Sequence, residues 1–459
     1  MLNLRARSVR TCAGLSRREM LQVGGSSALG LSLPQLISAS AEAGAVTSKV
    51  KSVLLLWLWG GPSHHETWDP KPKAPSKIRG CYSPIATASA GVSICELLPK
   101  SAALAKKFTI IRSMAHDMKD HNQGGTVALT GSTNGSQASG GVPFPGLVRP
   151  SMGSLISYLT RDRASEWPSF TCIGPNCKVS GADLRGQLSG PLGASHDPFR
   201  LESFTFEDGF RIPPSIEPLA DMQESRFRTR RALLTELDHW QRALETRGEV
   251  QRYSDVSQKA FGLLTSSATK AALDLSPEPD SLRDRYGRTV FGQNCILGRR
   301  LIESGVPFVQ VNWSGDAEDE QQGGDGGWDL HYRLFERMQD RYCPIFDLGF
   351  TGLLEDLEQR GLLESTLVIA MGEFGRSPEI SSIGGREHWP FGYSIVVAGG
   401  GTPGGTVIGS TTADGGFPAD RAIHPSDLIV TVMEKMGLNR LGLFDRDSAV
   451  LGSAIEELL

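Results

Sequence analysis

The sequence has little of several features that would assign it to a familiar class. No apolar stretch of about 18 residues runs without a breaker, which argues against an integral membrane span. No segment repeats at a fixed period, so a solenoid or a propeller is not expected. Positive charge is not in excess, because the formal net charge is -4, and we therefore expect no nucleic-acid partner.

Cysteine is also scarce, with 7 among 459 residues. Cys172 and Cys177 are the closest pair, but their spacing does not establish a disulfide, and no further pair completes a zinc knuckle. The 53 glycines and 26 prolines, with 39% hydrophobic content, indicate a globular, loop-rich protein. The length allows one large α/β domain or two smaller ones, and no oligomeric state is predicted.

The first 45 residues are typical of an export signal. Arg17 and Arg18 in "SRREMLQ" precede the modestly apolar "VGGSSALGLSLPQLI", and "ASAEAGA" then offers small residues for cleavage. This pattern resembles a twin-arginine signal, which predicts an exported protein of the periplasm or cell envelope. The alternative is a disordered basic N-terminus. Loss of the signal would remove Cys12 and leave six cysteines in a compartment that permits disulfides.

Apolar runs that alternate with helical patterns predict a mostly parallel sheet in a three-layer α/β/α sandwich. "SVLLLWLW" at 52–59 is typical of a strand buried on both faces, and further strands are predicted up to Met114 and at 306–313 and 366–371. Ser426 is the predicted N-cap of the last helix. Residues 46–459 are expected to form one domain with a helical cap or insertion at about 135–290, which includes the charged segment 216–265.

Polar motifs follow the predicted strands. Since the carboxyl ends of parallel strands open into the crevice where ligands bind, these motifs are candidates for one site, although wet loops also carry polar residues. Six of the nine histidines fall within them. The motifs are "SHHETWD" (63–69), "HDMKDHNQGG" (116–125), "GGWDLH" (326–331), "GEFGRSP" (372–378) and "GGREHWP" (384–390).

Carboxylates and imidazoles gathered at one sheet edge favour a divalent metal site, because a cation would organise groups that are otherwise unpaired. Asp329 and His331 point the same way in an extended segment, so both can reach one ion. Such a pair alone is more often part of a salt-bridged loop. With Glu373 and His388 the pair predicts a site for zinc, manganese or iron, and calcium is less suited. The number of ions is left open.

The motif blocks closely resemble those of the bacterial family known as domain of unknown function 1501, a member of the alkaline phosphatase and sulfatase superfamily. The resemblance covers about residues 50 to 455 and rests on "GGPSHHETWDPKPKAP", "DHNQGGTVALTG", "GPLGASHDPF", "GGWDLH", "GEFGRSPEI", "GGREHWP" and "HPSDL". It implies an alkaline-phosphatase-like fold. It also implies that His64 and Glu66 supply ligands where a phosphatase has an aspartate.

Departures from the superfamily pattern restrict the mechanism that the resemblance implies. His121 stands where a phosphatase has its nucleophilic serine. At the position of a phosphatase's metal-binding Asp-His pair, Glu373 keeps the carboxylate, but the histidine that should follow it is lost. No CxPxR-type motif is present for conversion to formylglycine. A phosphoserine or formylglycine intermediate is therefore not expected, and two routes remain, in which a metal-bound water attacks or His121 acts as nucleophile or general base.

These inferences predict an exported, metal-dependent hydrolase of phosphate or sulfate esters, acting on a small-molecule or glycan ester, with zinc or manganese favoured. The alternative is a non-catalytic binding or cell-envelope protein on the same fold. Arg376 and Arg386 are predicted to clamp the anionic ester, because a guanidinium matches the oxygens of phosphate and sulfate. A surface salt bridge is the alternative role for each of them. The predicted site comprises His121, Asn122 and Arg376 for catalysis, His64, Glu66, Asp329, His331, Glu373 and His388 for the metal, and Ser63 and Arg386 for the substrate.

Overall fold

An eight-stranded sheet forms the centre of the protein, as seen in a computed structural model. The described residues all lie in the unit Lys49–Leu459. The predicted export signal at 1–45 and the charged segment at 216–265 lie outside them, and the cap at about 135–290 stays a prediction. The described residues are 49–138, 140–163, 167–179, 182–201, 267–314, 327–438 and 452–459.

Ten strands build the sheet and one ribbon beside it. The pair β7 and β8 forms the ribbon, and the other eight are ordered β10-β2-β9-β6-β1-β5-β3-β4. Their bounds are β1 Ser52–Leu58, β2 Phe108–Met114, β3 Phe170–Ile173, β4 Phe199–Leu201, β5 Phe308–Trp313, β6 Thr366–Met371, β7 Gly375–Arg376, β8 His388–Trp389, β9 Tyr393–Gly399 and β10 Thr406–Ile408. Three further ribbons pair Pro84–Ala86 with Ser93–Cys95, Lys178–Val179 with Ala182–Asp183, and Ser410–Thr411 with Pro418–Asp420.

The sheet is mostly parallel. Only β9 runs against its neighbours, β6 and β2, among the eight strands of the described sheet. β1 lies between β6 and β5 and pairs in parallel with both. Consequently β1, β2, β5 and β6 all point the same way, and their carboxyl ends share one edge.

Helices cover both faces of the sheet. Their bounds are α1 Ser76–Arg79, α2 Pro99–Ala103, α3 His121–Thr130, α4 Met152–Leu159, α5 Ser267–Leu273, α6 Asp280–Arg285, α7 Val290–Glu303, α8 Leu334–Arg337, α9 Cys343–Gln359 and α10 Pro425–Lys435. Short 3-10 turns span Ala105–Lys107, Arg185–Gln187, Gly190–Leu192, Ala194–His196, Leu363–Ser365 and Glu456–Leu458.

Two hydrophobic cores lie on opposite faces of the sheet. Leu54 and Leu56 of β1 join the core formed with α7 and α9. Val53 and Leu55 join the core formed with α3, α4 and α10. Because side chains alternate along a strand, an unbroken apolar run such as β1 serves both cores. The predicted three-layer sandwich with a mostly parallel sheet is thus confirmed.

One predicted helix cap is wrong, and another helix is irregular. The N-cap of α10 is His424, whose Nδ1 accepts the Ser426 backbone N–H at 3.2 Å, so Ser426 lies inside the helix and the predicted cap is wrong. The long helix from Leu334 is interrupted by a π-helical turn at Met338–Tyr342. Pro344 lies two residues after this turn, and proline disturbs the hydrogen bonds of the helical turn that precedes it.

Within the described ranges, no helix has both the length and the apolar character needed to cross a membrane.

Candidate metal centre

The carboxyl ends of the central strands hold the residues of the site. Gly60 follows β1, His121 begins α3 after β2, Glu373 follows β6, and Asp329 lies downstream of β5. Gly60 has φ +104°, and a Cβ there would lie 2.3 Å from the Asp329 backbone nitrogen. Only glycine fits this position, because the Trp328–Asp329 backbone passes against it.

Three imidazoles converge on the buried carboxylate of Asp329. The Nε2 atom of His121 lies 3.1 Å from Oδ2 of Asp329. The Nε2 atoms of His331 and His388 lie 3.0 and 3.1 Å from Oδ1, and 2.9 Å from each other. Ligand atoms of His121, Asp329 and His388 all fall within 4.8 Å of one another, which is compact enough for one cation.

The opposite nitrogen of each ring, Nδ1, faces an acceptor that has no proton to give. A neutral imidazole in this setting carries its proton on Nδ1, and that tautomer is inferred from the partners. In that neutral form, each Nε2 offers a lone pair on the side of Asp329. The acceptors are Glu373 Oε1 for His121 at 2.6 Å, the Lys119 carbonyl for His388 at 2.8 Å, and Glu387 Oε2 for His331 at 3.1 Å.

This donor set fits a divalent cation. Without a cation, a proton must lie between the Asp329 carboxylate and an imidazole that faces it, and the raised pKa of His121 places that proton on its ring. A divalent cation could supply the positive charge instead. Zinc-binding histidines in proteins donate their second ring nitrogen to a carboxylate or a carbonyl in the same way. The residues that would hold the ion are His121, Asp329, His331 and His388.

The electrostatics also favour positive charge here. Burial disfavours the charged form of His121, but hydrogen bonds to Asp329 and Glu373 outweigh it and raise the pKa of His121 to about 9. Burial likewise opposes ionisation of Asp329, yet Arg376 and the surrounding imidazoles hold its pKa well below the usual range. Burial lowers the pKa of His388. The exposed fractions of the His331 and His388 side chains, 29% and 22%, leave the site open to solvent on that side.

Arg376 braces the site from within. Its guanidinium is fully buried and donates to the carbonyls of Gly60 and Gly61, the latter at 3.0 Å, and to the Arg386 carbonyl at 3.1 Å. It also pairs with Oδ1 of Asp329. The structure therefore gives this predicted catalytic residue a contact with the site carboxylate rather than a free guanidinium edge.

The structure does not bring Glu66 and Arg386 to the three imidazoles. Arg386 is fully buried and donates from Nε and Nη2 to the two oxygens of Glu66, at 3.0 and 2.6 Å. The Ser63 hydroxyl donates to the same carboxylate. Glu66 and Arg386 thus form a bidentate ion pair, with Ser63 hydrogen-bonded to it, and each charge is satisfied by the other.

His64 also lies apart from the cluster. Its Nε2 donates to the Gly415 carbonyl at 2.9 Å, and the Nε2 of His65 donates to the Asp414 carbonyl at 2.9 Å. Burial lowers the pKa of His64 to about 4 and that of His65 well below its ordinary value, so both rings are neutral near pH 7. Their contacts hold a turn.

Asn122 lies beside the cluster on the first turn of α3. Its backbone N–H donates to the Asp120 N-cap at 2.9 Å, while its side-chain Oδ1 is buried without a hydrogen-bond partner. A buried amide oxygen without a donor is available to a ligand.

Sequence reasoning missed several groups that shape the site. Glu387 was readable as the charge that precedes His388 in "GGREHWP". The Lys119 carbonyl left no signal, because a backbone acceptor is independent of residue type. Trp59 and Phe374 pack against His121 with ring centroids 5.3 and 5.1 Å away, and no spacing in the sequence links them to it.

A protein-family model matches most of the chain. The family model described as "Protein of unknown function (DUF1501)" matches residues 50–450. No curated protein matches the sequence.

Three solved structures are similar over most of the chain. A sulfatase, PsFucS1, from Pseudoalteromonas sp. is 12% identical and covers 92% of this chain and 72% of its own, with a TM-score of 0.34. The lipoteichoic acid synthase LtaP from Listeria monocytogenes is 12% identical over 90% and 77%, with a TM-score of 0.39. A phosphonate monoester hydrolase of Agrobacterium radiobacter is 13% identical over 84% and 74%, with a TM-score of 0.32.

Proposed function

The chain belongs to the DUF1501 family, and from that premise we propose that it is an exported, metal-dependent hydrolase of phosphate or sulfate esters. The proposal assigns a single reaction centre to the edge of the sheet described above. Zinc or manganese is the favoured metal, because the ligands are imidazoles and a carboxylate without thiolates.

One observation carries the proposal. In three imidazoles Nδ1 faces an acceptor while Nε2 lies 3.0–3.1 Å from one buried carboxylate. A cluster of structural salt bridges needs no such uniform orientation of the rings. A metal centre needs it, because each ligand must present Nε2 to the ion and be held in place through Nδ1.

The residues of the chain have separate tasks in the reaction. A divalent cation, when bound, supplies Lewis acidity to an ester oxygen or to a water molecule. His121, His331, His388 and Asp329 would hold it, and Glu373 orients His121 through Nδ1. In this proposal His121 is a ligand, because both of its nitrogens are committed, and it is not the nucleophile.

Buried groups around the candidate ligands have supporting tasks. The unpartnered Oδ1 of Asn122 can orient a water molecule or an ester hydroxyl by accepting a hydrogen bond. Arg376 holds Asp329 ionised and fixed, which keeps that carboxylate available as a ligand. The aromatic rings of Trp59 and Phe374 exclude water from the inner side of His121.

Elemental analysis of the purified protein tests the metal. We expect about one equivalent of transition metal per chain in the wild type. The His331→Ala, His388→Ala double variant should lose it, because two of four ligands are removed. His64→Gln is the matched control, since this histidine is buried nearby but outside the cluster, and its metal content should equal that of the wild type.

Hydrolysis of 4-nitrophenyl phosphate and 4-nitrophenyl sulfate tests the reaction. We expect turnover in the wild type and in His64→Gln, and none in the double variant or after chelation. A folded wild type without metal would overturn the proposal. A metal-loaded wild type that is inactive on a broad set of both ester types would reject hydrolysis and keep the metal site.

One observation favours the alternative, a non-catalytic metal-binding protein of the cell envelope. Arg376 and Arg386, the two predicted anion clamps, are fully buried and paired with protein groups. Under this alternative the metal content is unchanged but every ester remains intact. The assay above therefore separates the two functions.

A further inference from the structure

Three aromatic side chains form a surface cluster next to the candidate metal centre. We call Trp389, Phe391 and Phe417 the aromatic platform. The Trp389 and Phe391 ring centroids are 5.1 Å apart, and Phe417 lies 5.7 and 5.8 Å from them. Phe417 is 49% exposed, and the other two are half-buried. Trp389 directly follows His388, so the platform borders the candidate ligands.

The turn that carries Phe417 is held in a fixed shape. Three buried or half-buried side chains, His64, His65 and Trp389, donate to the carbonyls of three successive residues, Gly415, Asp414 and Gly416 respectively. Within the turn, the Thr412 hydroxyl accepts the N–H groups of Gly416 and Phe417, each at 3.1 Å. An exposed aromatic ring on so constrained a turn is preorganised for binding, since little entropy is lost when a ligand arrives.

Lys119 connects the platform to the candidate metal centre. Its ammonium lies 5.5 Å from the Trp389 ring centroid and 5.0 Å from that of Phe391. Its carbonyl accepts Nδ1–H of His388 at 2.8 Å. Lys119 is exposed, and its flexible stem allows the ammonium to leave the rings and pair with an anion.

We propose that the aromatic platform and Lys119 bind the sugar portion of an anionic saccharide ester. This inference rests on the proposed function, because it names the substrate class of that same centre. The polarised C–H groups on one face of a sugar ring match the negative face of an aromatic ring. The ammonium supplies the charge that selects a saccharide bearing a sulfate, phosphate or carboxylate group over a neutral one.

The size of the platform favours a saccharide over a protein partner. A stable protein interface takes about 800 Å² from each partner. Three rings that would each bury about 150–250 Å² when fully covered, and that are already partly buried, provide less than that. The area fits one or two sugar rings.

Binding to an oligosaccharide array tests the inference without relying on catalysis. The array carries sulfated and phosphorylated oligosaccharides beside their unmodified parents, and the protein is treated with chelator so that no substrate is consumed. We expect the wild type to retain a set of anionic saccharides and to prefer them over the parents. The best ligand is then titrated by calorimetry.

Matched variants separate the platform from general surface effects. Phe417→Ala should weaken binding of the best ligand at least about tenfold, because it removes the most exposed ring of the platform. Lys119→Met should remove the preference for the anionic saccharide. Leu147→Ala, which removes an exposed apolar side chain elsewhere, should bind like the wild type.

The outcomes distinguish this inference from the proposed function. Absence of saccharide binding, or equal binding by wild type and Phe417→Ala, would overturn the platform, and metal content and ester hydrolysis would stand unaffected. Saccharide binding that depends on Phe417, in a protein that holds no metal when it is purified without chelator, would support the platform and reject the hydrolase. Preferential binding of aryl esters over saccharides would also overturn the inference.

Discussion

At the scale of single residues, the second nitrogen of each histidine matters as much as the first. His121 and His331 both donate from Nδ1 to a carboxylate, but the two carboxylates differ in burial. Glu373 is fully buried and also accepts the Gly60 N–H at 2.9 Å, whereas the side chain of Glu387 is 65% exposed. Solvent screening weakens the second contact and leaves the first at nearly full strength.

This difference predicts unequal effects of two matched substitutions. Glu373→Gln should lower metal affinity about 10- to 100-fold, because it removes the charge behind a ligand imidazole. Glu387→Gln should change it by less than about threefold. Competition titration against a metal indicator measures both, and equal losses would contradict the role given to burial.

His116 predicts a pH dependence of stability. Its Nδ1 accepts the Met118 N–H at 3.1 Å and its Nε2 donates to the Glu373 carbonyl at 2.6 Å, so the neutral ring is satisfied on both sides. Burial lowers the pKa of His116 to about 4. Between pH 6.5 and pH 4 the unfolded chain takes up a proton that the folded chain refuses, so the stabilisation present above pH 6.5 is lost as the pH falls.

The measurement is the free energy of unfolding at pH 7 and at pH 5. The wild type should lose about 2 kcal/mol more over this interval than His116→Gln, whose amide can still donate to the carbonyl but does not titrate in this range. Parallel pH profiles for the two proteins would show that His116 is not the cause.

At the scale of elements, two buried arginines attach the β7–β8 ribbon to the end of β1. Arg376 on β7 reaches Gly60 and Gly61, and Arg386 before β8 reaches Glu66. The ribbon delivers His388 to the cluster, so its position depends on these contacts. Arg386 also donates to the Ile78 carbonyl at 2.7 Å, which ties in the helix α1.

Breaking one half of the Glu66–Arg386 pair should destabilise the fold. Glu66→Gln should lower the free energy of unfolding by about 3–5 kcal/mol, because a guanidinium is left buried without its charge partner. The Glu66→Gln, Arg386→Gln double variant should recover part of the loss. Urea denaturation measures both.

The metal content of Glu66→Gln tests whether Glu66 is a metal ligand. In chains that remain folded, Glu66→Gln should keep the wild-type metal content, because the structure places Glu66 away from the imidazoles. A metal-free but folded Glu66→Gln protein would mean that Glu66 is a ligand, as the family resemblance implied.

At the scale of the whole molecule, two hydrophobic cores flank one sheet in the described part of the chain. Adjacent residues of β1 belong to different cores, as Leu54 and Leu55 do. The candidate metal centre lies at the edge where the parallel strands end. Its candidate ligands come from α3, from the segment after β5, and from β8, so only the folded chain brings them together.

We propose that the chain leaves the cytoplasm already folded, by the twin-arginine route. Replacement of Arg17 and Arg18 by lysine should leave the protein in the cytoplasm with its metal bound, because folding and metal uptake precede export. Fractionation with elemental analysis of each fraction tests this. Equal export of the wild type and the double-lysine variant would reject the route.

The sequence predicted the sheet, and it could not tell which polar side chains join the imidazole cluster and which form ion pairs. Asp329, His331 and His388 were placed by their strand ends, and the structure brings them together. Glu66 stands in an equally polar motif after a strand, but its partner Arg386 lies 320 positions away. Which carboxylate meets a guanidinium and which meets an imidazole depends on the packing of distant segments, and local spacing does not encode it.

The central place of β1 has a consequence for synthesis of the chain. β1 is made first among the strands of the sheet, but its neighbours β5 and β6 are made much later. At roughly 5–20 residues per second, a ribosome takes on the order of tens of seconds to pass from Leu58 to Phe308. During that time the apolar "SVLLLWL" strand has neither of its partners. The nascent chain therefore exposes this apolar segment for much of its synthesis, which is a state prone to aggregation until the sheet can close.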